Sequence, residues 1–305
     1  MQANVNKNAS EKPVLLLVDG HAYAYRAFFA IRSLSSPAGT PTNAIYGFVK
    51  MVQKIIAQSG ASHGAVIWDG GLAEGRKKAL PEYKANRPEM PEDLELQLDE
   101  IVTYLKAAGI PTLCQDGLEA DDWIARLAQE GIARGFRVVI ASADKDFFQL
   151  VGPDLGLINP NDKEERLWSA NEVVAKTGVR PEQVVDWLSL VGDAVDNIAG
   201  VAGVGPKTAA ELLGKYGTID QLYAQLETVT SERQRKALAE AREAVFRNRE
   251  LVRLWAEAAP ASDVSGLLLD EPDASKLAEL FKKWGFKTML KEIEQRREPS
   301  ELLLC

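Results

Sequence analysis

Two cysteines and two histidines are all that this chain of 305 residues contains, and their scarcity closes off several kinds of chemistry. Cys114 falls in an apolar run and Cys305 is the last residue, so neither number nor spacing supports a disulfide framework or a zinc site. The histidines are His21 and His63, the latter in the loop-like SGASHGA, and no Ser–His–Asp arrangement competes for a catalytic role. Long hydrophobic runs are missing too. The polar stretch Met1 to Lys12 precedes an apolar run too short for a signal h-region or a membrane span. A cytoplasmic, reducing location with no membrane partner is the expectation. An excess of positive charge is also absent: the net charge is −8, which on its face argues against a partner bound through Lys and Arg neutralising phosphates. There is no internal repeat and no low-complexity segment. The length fits roughly two domains, and 46% hydrophobic residues is ample for a sizeable core.

What the chain does have is acids in telling places. Nine carboxylates stand out: Asp19, Asp69, Glu119, Asp121, Asp122, Asp144, Asp146, Asp193 and Asp196. The first seven each follow a short apolar run that reads as a buried strand. These runs are Val14 to Val18, Ala65 to Trp68, Ile110 to Cys114 and Val138 to Ala141, with helical stretches between them such as Tyr46 to Gln58 and Ala120 to Arg134. The alternation predicts crossover-connected parallel strands, and residues just past such strands emerge along one edge, where α/β folds place their sites. Spacing within the set supports shared work. Asp144 and Asp146, two apart, point the same way if extended, while Glu119 with Asp122 and Asp193 with Asp196 are three apart. Any one of these acids is plainly explained as a helix cap or a solvated loop acid. The set is not, because capping accounts for Asp121 or Asp122 but not for three acids in four residues. Crowded like charges need cations, and an all-oxygen ligand set favours hard ions such as Mg2+ or Mn2+.

If the acids hold ions, the net charge misleads, and the local basic groups set the surface field. They are Arg26, the Arg76-Lys77-Lys78 run, Lys84 and Arg87, and Lys207. Arg26 follows Asp19 by about two helical turns and projects toward the same edge. Lys84 and Arg87 lie in YKANRP, on a Gly-, Pro- and charge-rich insertion of about residues 70–95 that shows no core of its own. Basic loop residues are usually only solvated, but Tyr83 between cations is the composition that stacks a base while holding its phosphate. We expect this segment to be disordered until its partner binds. The stretch GVAGVGPKTA, Gly200 to Ala209, looks like a P-loop at first, yet Pro206 breaks the required G-K pair. A Gly-rich turn leading into a helix near Thr208 still exposes backbone N–H groups beside Lys207, a seat for one phosphate rather than a plain inter-helix turn. After about residue 170 the predicted elements are helices: 169–177, 181–191, 208–216, 219–225, 231–257 and 274–284.

These residues resemble the 5′-nuclease domain at the N-terminus of bacterial DNA polymerase I, within the flap endonuclease superfamily. The resemblance is carried by LLLVDGHAYAYRAF, NAIYGF, YKANRP, LEADDWIA, ASADKDFFQL and VGDAVDNIAGVAGVGPKTAAELL, and it covers nearly the whole length from Val14. It implies a mostly parallel α/β domain over residues 1–180 with flanking helices and a helical arch at about 70–95. A helical DNA-binding domain would fill 181–305, with a helix–hairpin–helix at about 184–216. The activity implied is divalent-metal-dependent cleavage of 5′-flap and nicked duplex DNA, endonucleolytic and 5′-to-3′ exonucleolytic, in replication and repair. Acids matching Asp19, Asp69, Glu119 and Asp121 serve one metal region of the family, and those matching Asp144, Asp146 and Asp196 another, with Asp122 and Asp193 as further acids of the cluster. Lys84, Arg87 and Arg26 are the implied catalytic cations. Tyr83, Arg76, Gly203, Gly205, Lys207 and Thr208 are the implied DNA contacts, and the hairpin often holds a K+ ion. The expected assembly is a monomer, with a DNA polymerase as partner in cis or in trans. No polymerase region follows residue 305, so a stand-alone nuclease or a fragment of a longer chain is expected. A ribonuclease or phosphatase of the same fold and a catalytically silent DNA-binding module are the alternative classes. The chain departs from the family at Gly75, where bacterial relatives usually carry Phe, and at Gly70-Gly71.

Overall fold

The computed structural model describes residues 12–162 and 166–297. Met1 to Glu11 and Cys305 lie outside these described residues. The chain runs β1 (Val14–Asp19), α1 (Gly20–Ala30), α2 (Asn43–Ser59), β2 (His63–Trp68), α3 (Glu74–Ala79), α4 (Glu92–Ala107), β3 (Thr112–Cys114), α5 (Ala120–Ala133), β4 (Arg137–Ala141), β5 (Leu155–Ile158) and β6 (Leu167–Trp168). It continues as α6 (Ala170–Thr177), α7 (Val184–Val191), β7 (Gly192–Asp193), β8 (Ile198–Ala199), α8 (Pro206–Tyr216), α9 (Ile219–Ala224), α10 (Glu232–Glu240), α11 (Arg242–Val252), α12 (Ala274–Trp284) and α13 (Lys287–Arg297).

The main sheet has the order β3-β2-β1-β4-β5-β6, parallel except for β6. The interiors of its central strands β1, β2 and β4 are apolar because both faces are covered. Leu15, Leu17, Ala65, Ile67, Val138 and Ile140 point to one core, shared with α5. Leu16, Val18, Val66, Trp68, Val139 and Ala141 point to the other, shared with α1, α2 and α4. The period of two along each strand thus divides one apolar run between two cores. From β1 the chain moves outward to β2 and β3, then returns to place β4 on the other side of β1. That reversal opens the crevice at the ends of β1 and β4 in which α/β sheets bind ligands.

The structure differs from the sequence reading at four places. β5 and β6 complete the sheet although neither is expected as a strand, because four- and two-residue strands carry too little periodicity to register. The helix expected over 231–257 breaks at Ala241 into α10 and α11. The last two helices do not stay with the helical unit: Leu277, Phe281, Trp284 and Met289 pack into the core of α2 and α4. His63 is not a loop residue but opens β2, with its ring edge-on to Phe136.

Candidate active site

The carboxyl ends of the strands present the acids together. Asp19 ends β1, Asp69 follows β2, Glu119 precedes α5 and Asp121 lies in its first turn. Asp144 and Asp146 follow β4 around the short turn Lys145–Leu150. Asp193 and Asp196 come from β7 and the turn to β8. Local hydrogen bonds fix several of them. Asp19 accepts the Ala22 N–H at 3.0 Å and the Ser142 hydroxyl at 2.9 Å, which ties the end of β1 to the exit of β4. Asp69 accepts the Ala120 N–H at 2.9 Å and so covers the head of α5, a capping role that the sequence assigned to Asp121 or Asp122. Asp144 accepts the Asp146 N–H, and Asp193 the Val195 N–H, each at 2.9 Å. These acids are therefore both local caps and members of a group.

Their charges oppose one another at short range. Burial, reinforced by Asp69 and Asp144, pushes Asp19 up from 3.8 to about 7 against the hydrogen bonds of Ala22 and Ser142. Burial also holds Asp121 well above the ordinary carboxylate range, with Asp144, Asp19 and Asp69 adding to it. Asp144 and Asp146 are raised too, first by burial: against the opposing Asp146 N–H, Asp196 and Asp193 add to the rise of Asp144, and Asp144, Asp196 and Asp193 add to that of Asp146. Repulsion runs across both halves of the set, so they form one field of negative charge.

The 70–95 segment is folded down onto this field rather than left loose. Lys84 Nζ lies 2.5 Å from Glu119 Oε2, Arg87 Nη2 lies 2.7 Å from Asp196 Oδ1, and the buried Tyr83 hydroxyl reaches both acids. Burial works against the Lys84 charge, but Glu119, Asp121 and Asp196 outweigh it and raise its pKa. Burial would raise Glu119, and Lys84 with Arg76 more than reverse that. Lys84 and Asn197 both take left-handed backbone, φ 55° and 59°, which is uncommon outside glycine. The two turns are latched: Lys84 N–H donates to the Asp196 carbonyl, and Asn197 Nδ2 donates to the Glu82 carbonyl.

Several expected site residues sit elsewhere. Arg76 is buried at 2% exposure, its guanidinium bound to Asp122 at 2.7 and 2.8 Å. Neither can serve the role read from sequence: Arg76 cannot reach DNA, and Asp122 is turned from the acid edge into that ion pair. Tyr83 is enclosed at 3% exposure, where no base can stack. Arg26 stands exposed on α1 with no ion pair to the acids among the described residues. Gly203, Gly205 and Lys207 are exposed, with Thr208 in the first turn of α8, and Pro206 starts that helix two residues earlier than expected. Val201 and Val204 are buried beneath the turn, and Trp187 Nε1 donates to the Pro206 carbonyl at 3.0 Å. Two participants escaped the sequence reading. Lys145 pairs with Asp193 at 3.1 Å, and its place inside ASADKD was the available signal. Gln149, which donates to the Asp146 carbonyl, had none.

Divalent cations fit the donor set. The donors are carboxylate oxygens, four of the acids are desolvated against one another, and Asp146 Oδ1 is buried with no hydrogen-bond partner. As they lie, no three acids close on one point among the described residues. Lys84, Arg87 and Lys145 hold Glu119, Asp196 and Asp193 instead.

Residues 14–178 match the family model for the 5′-3′ exonuclease N-terminal resolvase-like domain, and 179–275 that for the 5′-3′ exonuclease C-terminal SAM fold. The chain belongs to the 5′-3′ exonuclease family. It is 38% identical over 281 residues to a 5′-3′ exonuclease of Aquifex aeolicus, covering 92% of this chain and 95% of that protein. It is 34% identical over 292 residues to DNA polymerase I of Bacillus caldotenax, covering 95% of this chain but 33% of that one. Among solved structures, the bacteriophage T5 flap endonuclease in a pseudo-enzyme-product complex with DNA and metal ions has a TM-score of 0.67 at 23% identity, covering 92% of this chain and 98% of that one. The catalytic core of Rad2 in complex with DNA substrate has a TM-score of 0.64 at 18% identity, covering 92% and 90%. Both share the fold. As a member of its family, this exonuclease is a 5′ nuclease, and no helix among its described residues is long and apolar enough to cross a membrane.

The raised acids predict a stability profile. Asp19 keeps its proton more firmly folded, up to about pH 7, than unfolded, near 3.8. Its contribution is therefore complete below about pH 4 and is lost as pH rises through about 7. In EDTA the Tm of the exonuclease is expected to fall between about pH 5 and pH 8, and Mg2+ to raise it more at the upper end. Calorimetry showing a level or rising Tm in EDTA across that window would contradict this.

Proposed function

We propose that this exonuclease hydrolyses phosphodiester bonds of DNA where a 5′ single strand meets duplex. It would act as both a flap endonuclease and a 5′-3′ exonuclease in replication and repair, with Mg2+ or Mn2+ at the acid edge. The observation that carries this reading is the field of desolvated carboxylates whose repulsion the chain's own cations offset only in part. DNA in the T5 and Rad2 structures supports the same polymer here.

Asp19, Asp69, Glu119 and Asp121 would hold one ion, and Asp144, Asp146 and Asp196 another, with Asp193 acting through water. Divalent ions bound there lower the pKa of a water and stabilise charge on the leaving oxygen. The rest falls to the chain. Lys84 and Arg87, drawn from Glu119 and Asp196, turn to the scissile phosphate and offset charge in the transition state, with Arg26 at the flank on α1. Tyr83 keeps the 82–87 turn seated between the two halves of the acid set. At the other end the turn Gly203–Thr208 offers N–H groups at the head of α8, beside the exposed Lys207, to one duplex phosphate, with a K+ ion as a further occupant. The polymerase I relatives contain this stretch in about a third of their length, which supports a polymerase partner in cis or in trans. We take the working form to be a monomer.

Asp144→Asn is expected to abolish flap cleavage while flap binding persists, since one lost ligand leaves the duplex contact untouched. Turnover within about tenfold of wild type would exclude a catalytic role for this acid. Lys84→Ala is expected to lower single-turnover cleavage by about 10²-fold or more, and equal rates would show that Lys84 does no more than pair with Glu119. Parallel arms with hairpin RNA and a small phosphoester, each with Mg2+ or EDTA, separate a DNA nuclease from a ribonuclease, a phosphatase and a binder. For the hairpin, Lys207→Ala should weaken flap binding and reduce the slope of log K against log salt by about one. An added Cβ at Gly205 meets nothing within 4 Å, so Gly205→Val leaves the fold intact and should weaken binding further. Anisotropy in Ca2+ with an unchanged slope in both variants would move the duplex contact elsewhere.

A further inference from the structure

One stretch of backbone, Leu251–Trp255, leaves the end of α11 and touches both halves of the acid edge without supplying an acid. Leu251 and Val252 close α11 and residues 253–255 are irregular, so the carbonyls of the helix end and the polar groups beyond it must find partners outside the helix. On one side they find Arg76, whose Nε donates to the Leu251 carbonyl at 3.1 Å and Nη2 to the Arg253 carbonyl at 3.0 Å. Trp255 N–H donates to Asp122 at 2.7 Å, and its ring lies over the Arg76 guanidinium at 4.6 Å. Arg76 in turn stands 3.3 Å from Glu119. On the other side the partner is Gln149. Its Nε2 donates to the Val252 carbonyl at 3.0 Å and to the Asp146 carbonyl at 2.8 Å, and its Oε1 accepts the Leu254 N–H at 3.1 Å.

One turn earlier, the same helix is tied to the base of the glycine turn. Asn248, fully buried on α11, donates to the carbonyl of Ser189 in α7 at 3.2 Å and to that of Ala199 in β8 at 2.8 Å. Those two elements lead into and frame Gly200–Lys207. They also cross closely, since a Cβ on Gly200 would stand 2.1 Å from the Val191 carbonyl oxygen. A displacement at the turn therefore has little slack to be absorbed in before it reaches Asn248.

We propose that α11 and its exit form a strut that carries duplex engagement at the Gly203–Lys207 turn to the acid edge, with Arg76, Gln149 and Trp255 as positioning residues. Coupling of this kind passes through contiguous hydrogen bonds and rigid elements. Here the path runs from β8 through Asn248 to Leu251–Trp255. There it divides, through Gln149 to Asp146 and through Arg76 to Glu119. The inference rests on the reading that the exonuclease cleaves flap DNA and that the glycine turn holds its duplex.

The test uses the full chain and two 5′-flap DNAs, one with duplex long enough to reach the turn and one cut short of it. Single-turnover rates are measured in Mg2+ at saturating enzyme, so that affinity does not enter. Arg76→Ala would leave Asp122 buried without its cation and can fail to fold, so the variants are Gln149→Met and Trp255→Phe, on opposite sides of the strut. Wild type is expected to cleave the long-duplex DNA faster. In each variant the long-to-short rate ratio is expected to fall toward one, by about fivefold or more. A merely structural role lowers both rates equally and leaves the ratio at its wild-type value, which overturns the strut, as does a wild-type ratio of one. Wild type that cleaves neither DNA overturns the nuclease reading instead.

Discussion

Repulsion among carboxylates gathered on one sheet edge is the constraint that the rest of this molecule answers. Burial denies these acids the water that would screen them, and each neighbour raises the cost of the next charge. The chain answers with cations of its own on Glu119, Asp196 and Asp193, and with backbone N–H groups on Asp19, Asp69 and Asp144. What these leave over is an appetite for positive charge that the protein cannot meet from within. A stability-driven design would have thinned the acids; their retention together is a property of a site.

The sheet that gathers them owes its reach to a simple arrangement. Short strands, most of them split between two cores, bring residues from Asp19 to Asp146 to a single rim although more than a hundred residues separate them in sequence. The helical unit adds Asp193 and Asp196 from a turn of its own. Tyr83 then joins the two contributions, because its hydroxyl meets both Glu119 and Asp196.

The parts legible in the sequence were those encoded by local pattern. The strand runs at Val14, Ala65 and Val138, the acids after them, the helix at Ala274 and the turn around Gly203 all carry period or spacing that a short window shows. What was hidden depends on distant partners. Asp122 reads as a ligand because it stands three residues from Glu119, and only the approach of Arg76 from α3 reveals that it faces the other way. Arg76 reads as a surface cation for want of any local sign that Leu251 and Arg253 present carbonyls to it. The insertion reads as unstructured because its core is borrowed: Arg76 and Tyr83 are interior only once the helical unit is in place. α12 and α13 follow the same logic, since an amphipathic pattern says that a helix buries one face but not against what.

Gly75 shows how tightly such borrowed contacts are cut. A Cβ there would lie 2.7 Å from the Trp255 ring, so the space beside Arg76 has been divided once, with the whole of it given to residue 255. Any exchange of insertions between this chain and a relative bearing a large side chain at that place must therefore carry both positions across as a matched pair, because swapping one alone puts two rings in the volume of one or leaves a guanidinium uncovered.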